Sequence, residues 1–267
     1  MLAGKLQDAG LFLGWRQQDE HHEAVFFQGL NDWLLQQAGG SWDHPMPIRD
    51  LVGNPEARAV AGSYLRYSMR TPRAVSYLGP SSYLRTRDVA AASAPWGWKD
   101  PRSSFTLPLW LDVFPDAKIV HVMRHGVDVA RSLQVRSEAI VATSRQRFER
   151  KKWQYSLWGK RSGFTRGLRF SSLEEGVALW DDYTTEAKRH VAERGDRSHE
   201  LHYESFLRDP VDRMADLMAF CGLGAPTPSL RASLASVDAG RARAYEANPD
   251  LAALAHRQQE RLARHGY

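Results

Sequence analysis

A chain of 267 residues with 43% hydrophobic and 10% aromatic side chains has enough apolar surface for a packed core, which excludes general disorder. Its 36 Lys and Arg against 31 Asp and Glu leave a formal charge of +5, and its single cysteine excludes both an internal disulfide and a multi-thiolate zinc site. No run approaches the roughly 18 apolar residues of a membrane span. Lys5 and Asp8 interrupt the opening where a signal peptide needs its apolar middle, so a cytoplasmic protein in a reducing compartment is expected.

Taken in chain order, MLAGKLQDAG puts Leu2, Leu6 and Ala9 on one helical face, with Gly10 at its end. The Gly39 to Pro47 stretch and the Gly79-Pro80 turn read as loops. Ala94 to Lys99 (APWGWK) and Lys118 to Met123 (KIVHVM) read as short strands, the second followed by a helix that holds Ser132. From Leu173 to about Glu193, the residues Leu173, Val177, Trp180, Thr184, Ala187 and Val191 form one mainly apolar helical stripe. Ser172 with Glu175 forms a capping box at its start, and Gly195 stops it. Glu200 to Tyr203 is a third strand; His199 and His202 are three apart, which on a strand puts them on opposite faces, so neither reads as a metal ligand. Asp209-Pro210 opens a further helix as cap and first-turn proline, with Cys221 inward as a core residue and Gly222 closing it.

No internal repeat or linker divides the chain, so one domain over residues 1–267 is expected. Strands alternating with helices predict an α/β fold with a mostly parallel sheet, in which ligands bind beyond the carboxyl ends of the strands. Two of those ends carry charge: Lys99-Asp100-Pro101-Arg102, and Arg124-His125-Gly126-Val127-Asp128 followed by Ser132 near a helix start. A phosphate there would meet a guanidinium, a hydroxyl and free backbone NH groups. The competing reading has Arg124 paired with Asp128 and Ser132 merely filling space.

The basicity is local. From Arg145 to Arg169 there are nine basic residues and one acid, Glu149, interleaved with Phe148, Trp153, Tyr155, Trp158 and Phe164. A polyanion-binding surface centred on Lys151, Lys152, Lys160 and Arg161 is one reading of it; solvated cationic stems covering aromatic rings is the commoner outcome, and nucleic acid is not the expected partner.

WGWKDPR, then FPDAKIVHVMRHGVDVARSL, then LHYESFLRDP, in that order and at those separations, resemble the sulfotransferases that use 3′-phosphoadenosine-5′-phosphosulfate (PAPS). The resemblance implies a P-loop-type three-layer α/β fold, PAPS as co-substrate and no metal. It also implies that Arg124 and Ser132 bind the nucleotide's 3′-phosphate and that Lys99 steadies the sulfuryl oxygens. Lys99 paired with Asp100 or Glu23 is the structural alternative. His21-His22-Glu23-Ala24-Val25-Phe26-Phe27 is similar to the segment in which some members place the base that deprotonates the acceptor, so Glu23 is the candidate base, with Glu20, His21 and His22 as rivals. The Tyr203-Glu204 pair looks structural in the family. Gly126 stands where the family often has Pro, a change expected to loosen the turn.

The family opens with a strand and a Gly/Ser/Thr-rich phosphosulfate loop, whereas MLAGKLQDAGLFLG resembles the helix after that loop. The first strand and loop are therefore expected to be missing from this chain, either because it is shortened or because it is a degenerate relative. The expected function is sulfuryl transfer from PAPS to the hydroxyl or amine of a small-molecule or carbohydrate acceptor; the alternative is a non-catalytic sulfotransferase-like binding module.

Overall fold

The computed structural model describes residues 1–18, 22–158 and 167–267. Glu20 and His21, the rivals of Glu23, and Lys160, Arg161 and Phe164 of the basic segment lie outside the described residues.

Helices dominate. In chain order they are α1 (Leu2–Asp8), α2 (Val25–Gln37), α3 (Ile48–Gly53), α4 (Pro55–Ser68), α5 (Val75–Leu78), α6 (Pro80–Thr86), α7 (Ser103–Val113), α8 (Gly126–Leu157), α9 (Leu173–Arg194), α10 (Tyr203–Arg208), α11 (Pro210–Cys221), α12 (Pro228–Ala235), α13 (Pro249–Arg257) and α14 (Gln259–Ala263). Strands β1 (Ile119–Met123) and β2 (Ser198–His202) pair as a two-stranded parallel sheet. The expected larger parallel sheet is thus corrected to a mostly helical fold with a small sheet among the described residues.

Ala94 to Lys99 is not a strand. Phe12 donates its N–H to Pro95 O at 2.9 Å and accepts from Gly97 N–H at 3.0 Å, a single parallel bridge opposite Trp96. Pro95 has no N–H to extend a ladder, and the alternation of the segment serves to pack the half-buried Trp96 and Trp98 into one aromatic cluster.

The chain forms two compact units: Met1–Val122 with Glu186–Ala239, and Met123–Thr185 with Gly240–Tyr267. In the first, Phe27 is the hub of the core: its ring stacks on Trp98 at 4.1 Å, meets Tyr77 edge-on at 4.9 Å and lies 5.3 Å from Trp110. In the second, Val127 and Ala130 of α8, Val177 and Trp180 of α9, and Leu251, Leu254 and Leu262 of the C-terminal helices share one core.

The local punctuation follows the sequence with two adjustments. Ser172 Oγ accepts from the Glu175 N–H at 3.3 Å, but the Glu175 carboxylate turns to Arg169 at 2.7 Å, leaving the other half of the capping box unmade. Asp209 stands at the start of α11 without a side-chain cap, while Gly222 closes that helix at φ +73, a left-handed conformation suited to glycine. Cys221 is partly buried, and burial pushes its thiol up against the opposing pull of Lys118. Among the described residues no helix is long and apolar enough to cross a membrane, and no cluster of three His, Cys, Asp or Glu side chains could hold a metal ion.

Candidate active site

α2 buries Phe26, Phe27, Leu30, Asn31, Leu34 and Leu35, which fixes its amino end and the Glu23 just before it. Trp98, stacked on Phe27, fixes the chain one residue before Lys99. The outcome is an ion pair: Lys99 Nζ lies 2.7 Å from Glu23 Oε1. The Glu23 side chain is 9% exposed and Lys99 41%, so the ammonium covers a buried carboxylate from the solvent side. The other oxygen, Oε2, accepts from Gln28 Nε2 at 3.0 Å and faces Arg102 Nη1 at 3.6 Å. Gln18 donates in turn to Gln28 Oε1 at 2.7 Å. Gln18, Gln17 and His22, with Met1, Gly4 and Lys5 of the α1 region, line an open cleft of about 530 Å³.

Arg102 organises the floor of this site. Its guanidinium pairs with Asp32 Oδ1 at 2.7 Å and with Asp100 Oδ1 at 2.9 Å. Burial works against its charge, yet Asp100, Asp32 and Glu23 hold it above the ordinary arginine value. Burial also pushes the Asp100 carboxyl up, against Arg102 and the Asn31 amide. Asn31 is the node: Nδ2 donates to Asp100 Oδ2 at 2.8 Å, and Oδ1 accepts from Thr106 Oγ1 and Trp110 Nε1, both at 2.7 Å. Every polar atom of a fully buried amide is thereby used, which gives the charged layer above it a rigid base.

The second pair of expected site residues belongs to the other unit. Arg124 follows β1, and its Nη2 lies 3.2 Å from Asp128 Oδ2, one turn into α8, while its side chain remains 34% exposed. Asp128 Oδ1 accepts the Tyr245 N–H at 2.8 Å, so one buried carboxylate links the guanidinium to the segment 244–247. His125 caps α8, its Nδ1 accepting from Val127 N–H at 3.3 Å, and its ring stacks on Tyr245 at 4.0 Å. Ser132 is exposed on α8. Gly126 is buried under Trp180, whose Nε1 donates to Arg124 O at 3.0 Å. The turn expected to be loose is therefore filled by an indole in place of a proline ring.

Glu23 and Lys99 are thus brought together, which joins the functional reading of each to the structural alternative for Lys99. Arg124 makes the Asp128 contact named as its competing reading and keeps a third of its surface open. The sequence reading missed Asn31 and Gln28, and noticed Arg102 only as one charge of Lys-Asp-Pro-Arg, with no role assigned.

In the first unit a partly exposed cation covers a buried carboxylate; in the second an arginine at a strand end stands beside a helix amino terminus. The sulfotransferase family model matches residues 20–227. The chain belongs to the sulfotransferase family, enzymes that transfer a sulfuryl group from PAPS. No curated protein and no solved structure matches the chain significantly.

Proposed function

We propose that this chain transfers the sulfuryl group of PAPS to a hydroxyl or amine of a small-molecule or carbohydrate acceptor, with Glu23 as base, Lys99 as the cation on the sulfuryl oxygens, and Arg124 with Ser132 on the 3′-phosphate. The observation that carries the reading is the Lys99–Glu23 pair. A buried carboxylate with one oxygen held by Gln28 and the other paired with the partly exposed Lys99 ammonium is suited to taking a proton once that ammonium turns to a more strongly anionic partner. Arg124 suits the phosphate because its guanidinium is partly exposed and sits at the amino end of a long helix. PAPS, when bound, supplies the activated sulfuryl group and leaves as 3′,5′-bisphosphoadenosine. Lys99 then offsets charge on the transferred oxygens, and Glu23 accepts the acceptor's proton as the new oxygen–sulfur or nitrogen–sulfur bond forms. The family match runs through stretches of both compact units, which supports one sulfotransferase domain.

Isothermal titration with 3′,5′-bisphosphoadenosine tests the nucleotide assignment. Arg124→Ala should weaken binding by about tenfold or more, and Ser132→Ala by a smaller factor; equal affinity for the parent and Arg124→Ala removes the assignment. Mass spectrometry of an extract incubated with PAPS and the protein, searched for products heavier by one sulfuryl group, identifies the acceptor.

A further inference from the structure

Ser144 is the last buried residue of α8; among the described residues, none from 145 to 157 is buried. Six of the fifteen exposed large apolar side chains among the described residues fall between 135 and 158: Val135, Val141, Phe148, Trp153, Leu157 and Trp158. Trp153 is 60% exposed, Leu157 67% and Trp158 70%. Trp153 and Leu157 are four apart and so share one helical face, with Arg150 beside them. Helical spacing puts Arg145 and Lys152 along one flank of that face and Arg147 and Lys151 along the other. The single acid, Glu149, is paired with Lys152 at 2.7 Å. A helical stretch with no buried side chain gains little from its own chain and is marginal in water, so a covering surface would stabilise it.

Of the surfaces that could cover it, a soluble polyanion satisfies the cations and leaves Leu157 and Trp153 in water. An anionic bilayer satisfies both, since its interface takes Trp and Leu side chains below the head groups and its phosphates take Lys and Arg. We propose that residues 145–158 form a peripheral docking surface for an anionic lipid bilayer, lying in the interface with Trp153 and Leu157 inserted. This surface is independent of the sulfuryl-transfer reading and holds whether or not that reading does.

The test is co-sedimentation of the full chain with vesicles of phosphatidylcholine and phosphatidylglycerol at roughly two to one, alongside phosphatidylcholine alone, with tryptophan emission recorded. Binding to the anionic vesicles with a blue shift is expected. The double variant Trp153→Ala/Leu157→Ala should weaken it about tenfold or more at unchanged net charge, and Arg150→Glu/Lys151→Glu should abolish it. Both variants change only exposed side chains, and an unaltered circular dichroism spectrum verifies their fold. Failure to bind anionic vesicles overturns the proposal. So does vesicle binding that the Trp153→Ala/Leu157→Ala variant retains, or concentration-dependent self-association, lost in that variant, in place of vesicle binding. Binding to heparin or DNA that matches vesicle binding and ignores the loss of Trp153 and Leu157 would instead establish a plain polyanion surface.

Discussion

The indole of Trp180 lies against the backbone of Gly126 so closely that a Cβ at Gly126 would stand 2.6 Å from its Cε3. The same indole donates to the Arg124 carbonyl at 3.0 Å. One side chain of α9 thus sets the turn that presents Arg124. Glycine is required here by the approach of the ring, since Gly126 is not among the residues with positive φ.

Gly126→Ala should therefore destabilise the protein by about 1–3 kcal/mol, because the methyl group must displace a packed ring. Thermal unfolding measures this. A variant with unchanged melting temperature would show that Trp180 yields without cost. The displaced indole should also weaken bisphosphoadenosine binding through Arg124.

Lys99 and Glu23 give separable kinetic expectations. Glu23→Gln keeps the bulk of the side chain and removes the basic oxygen, so kcat should fall by about 10²–10⁴. Lys99→Ala uncovers Glu23 and removes the cation, and should cost about 10² in kcat. Steady-state sulfuryl transfer measures both. Near-parent turnover in Glu23→Gln would move the base elsewhere.

Asn31 touches no solvent, and its loss should be felt in stability. Asn31→Ala strands the Trp110 N–H and one oxygen of Asp100, and leaves the Thr106 hydroxyl only the Arg102 carbonyl at 3.3 Å. Leaving such groups buried without partners should cost about 2–4 kcal/mol in chemical denaturation. A loss below the level of an ordinary surface substitution would mean that water replaces the amide.

Acid stability is expected to depend on Glu186. Burial pushes its carboxyl up, but hydrogen bonds from His190, Arg189 and Arg49 outweigh that and bring it down to about 2 from the ordinary value of 4.5. A carboxylate held lower in the folded than in the unfolded protein contributes stability above the unfolded value, and that stability is lost as pH falls through the folded value. The parent should therefore lose stability between about pH 4.5 and pH 2 in a way that Glu186→Gln does not. At neutral pH the variant should be less stable by about 1–3 kcal/mol. Parallel acid-unfolding curves for the two proteins would remove Glu186 from this role.

How far the sequence reaches depends on the distance over which each feature is decided. The helix from Leu173, its stop near Gly195, the proline-opened α11 and its Gly222 close are set within a turn or two of chain, by periodicity, caps and left-handed glycine, and all were readable as text. The strand-end charges Lys99, Arg102 and Arg124 were equally visible, as was the order of the motifs.

The partners of those charges were not. Lys99 and Glu23 are 76 residues apart, and they meet because Phe27 stacks on Trp98; no spacing rule announces an aromatic contact between two segments. The Ala94 to Lys99 segment alternates as a strand does, yet its indoles were claimed by a core that Pro95 could not join as a ladder. Composition and local pattern fixed which residues carry charge and where helices begin and end. Packing between distant segments decided which charge faces which, because burial makes an unpaired ion too costly to leave wherever the chain happens to put it.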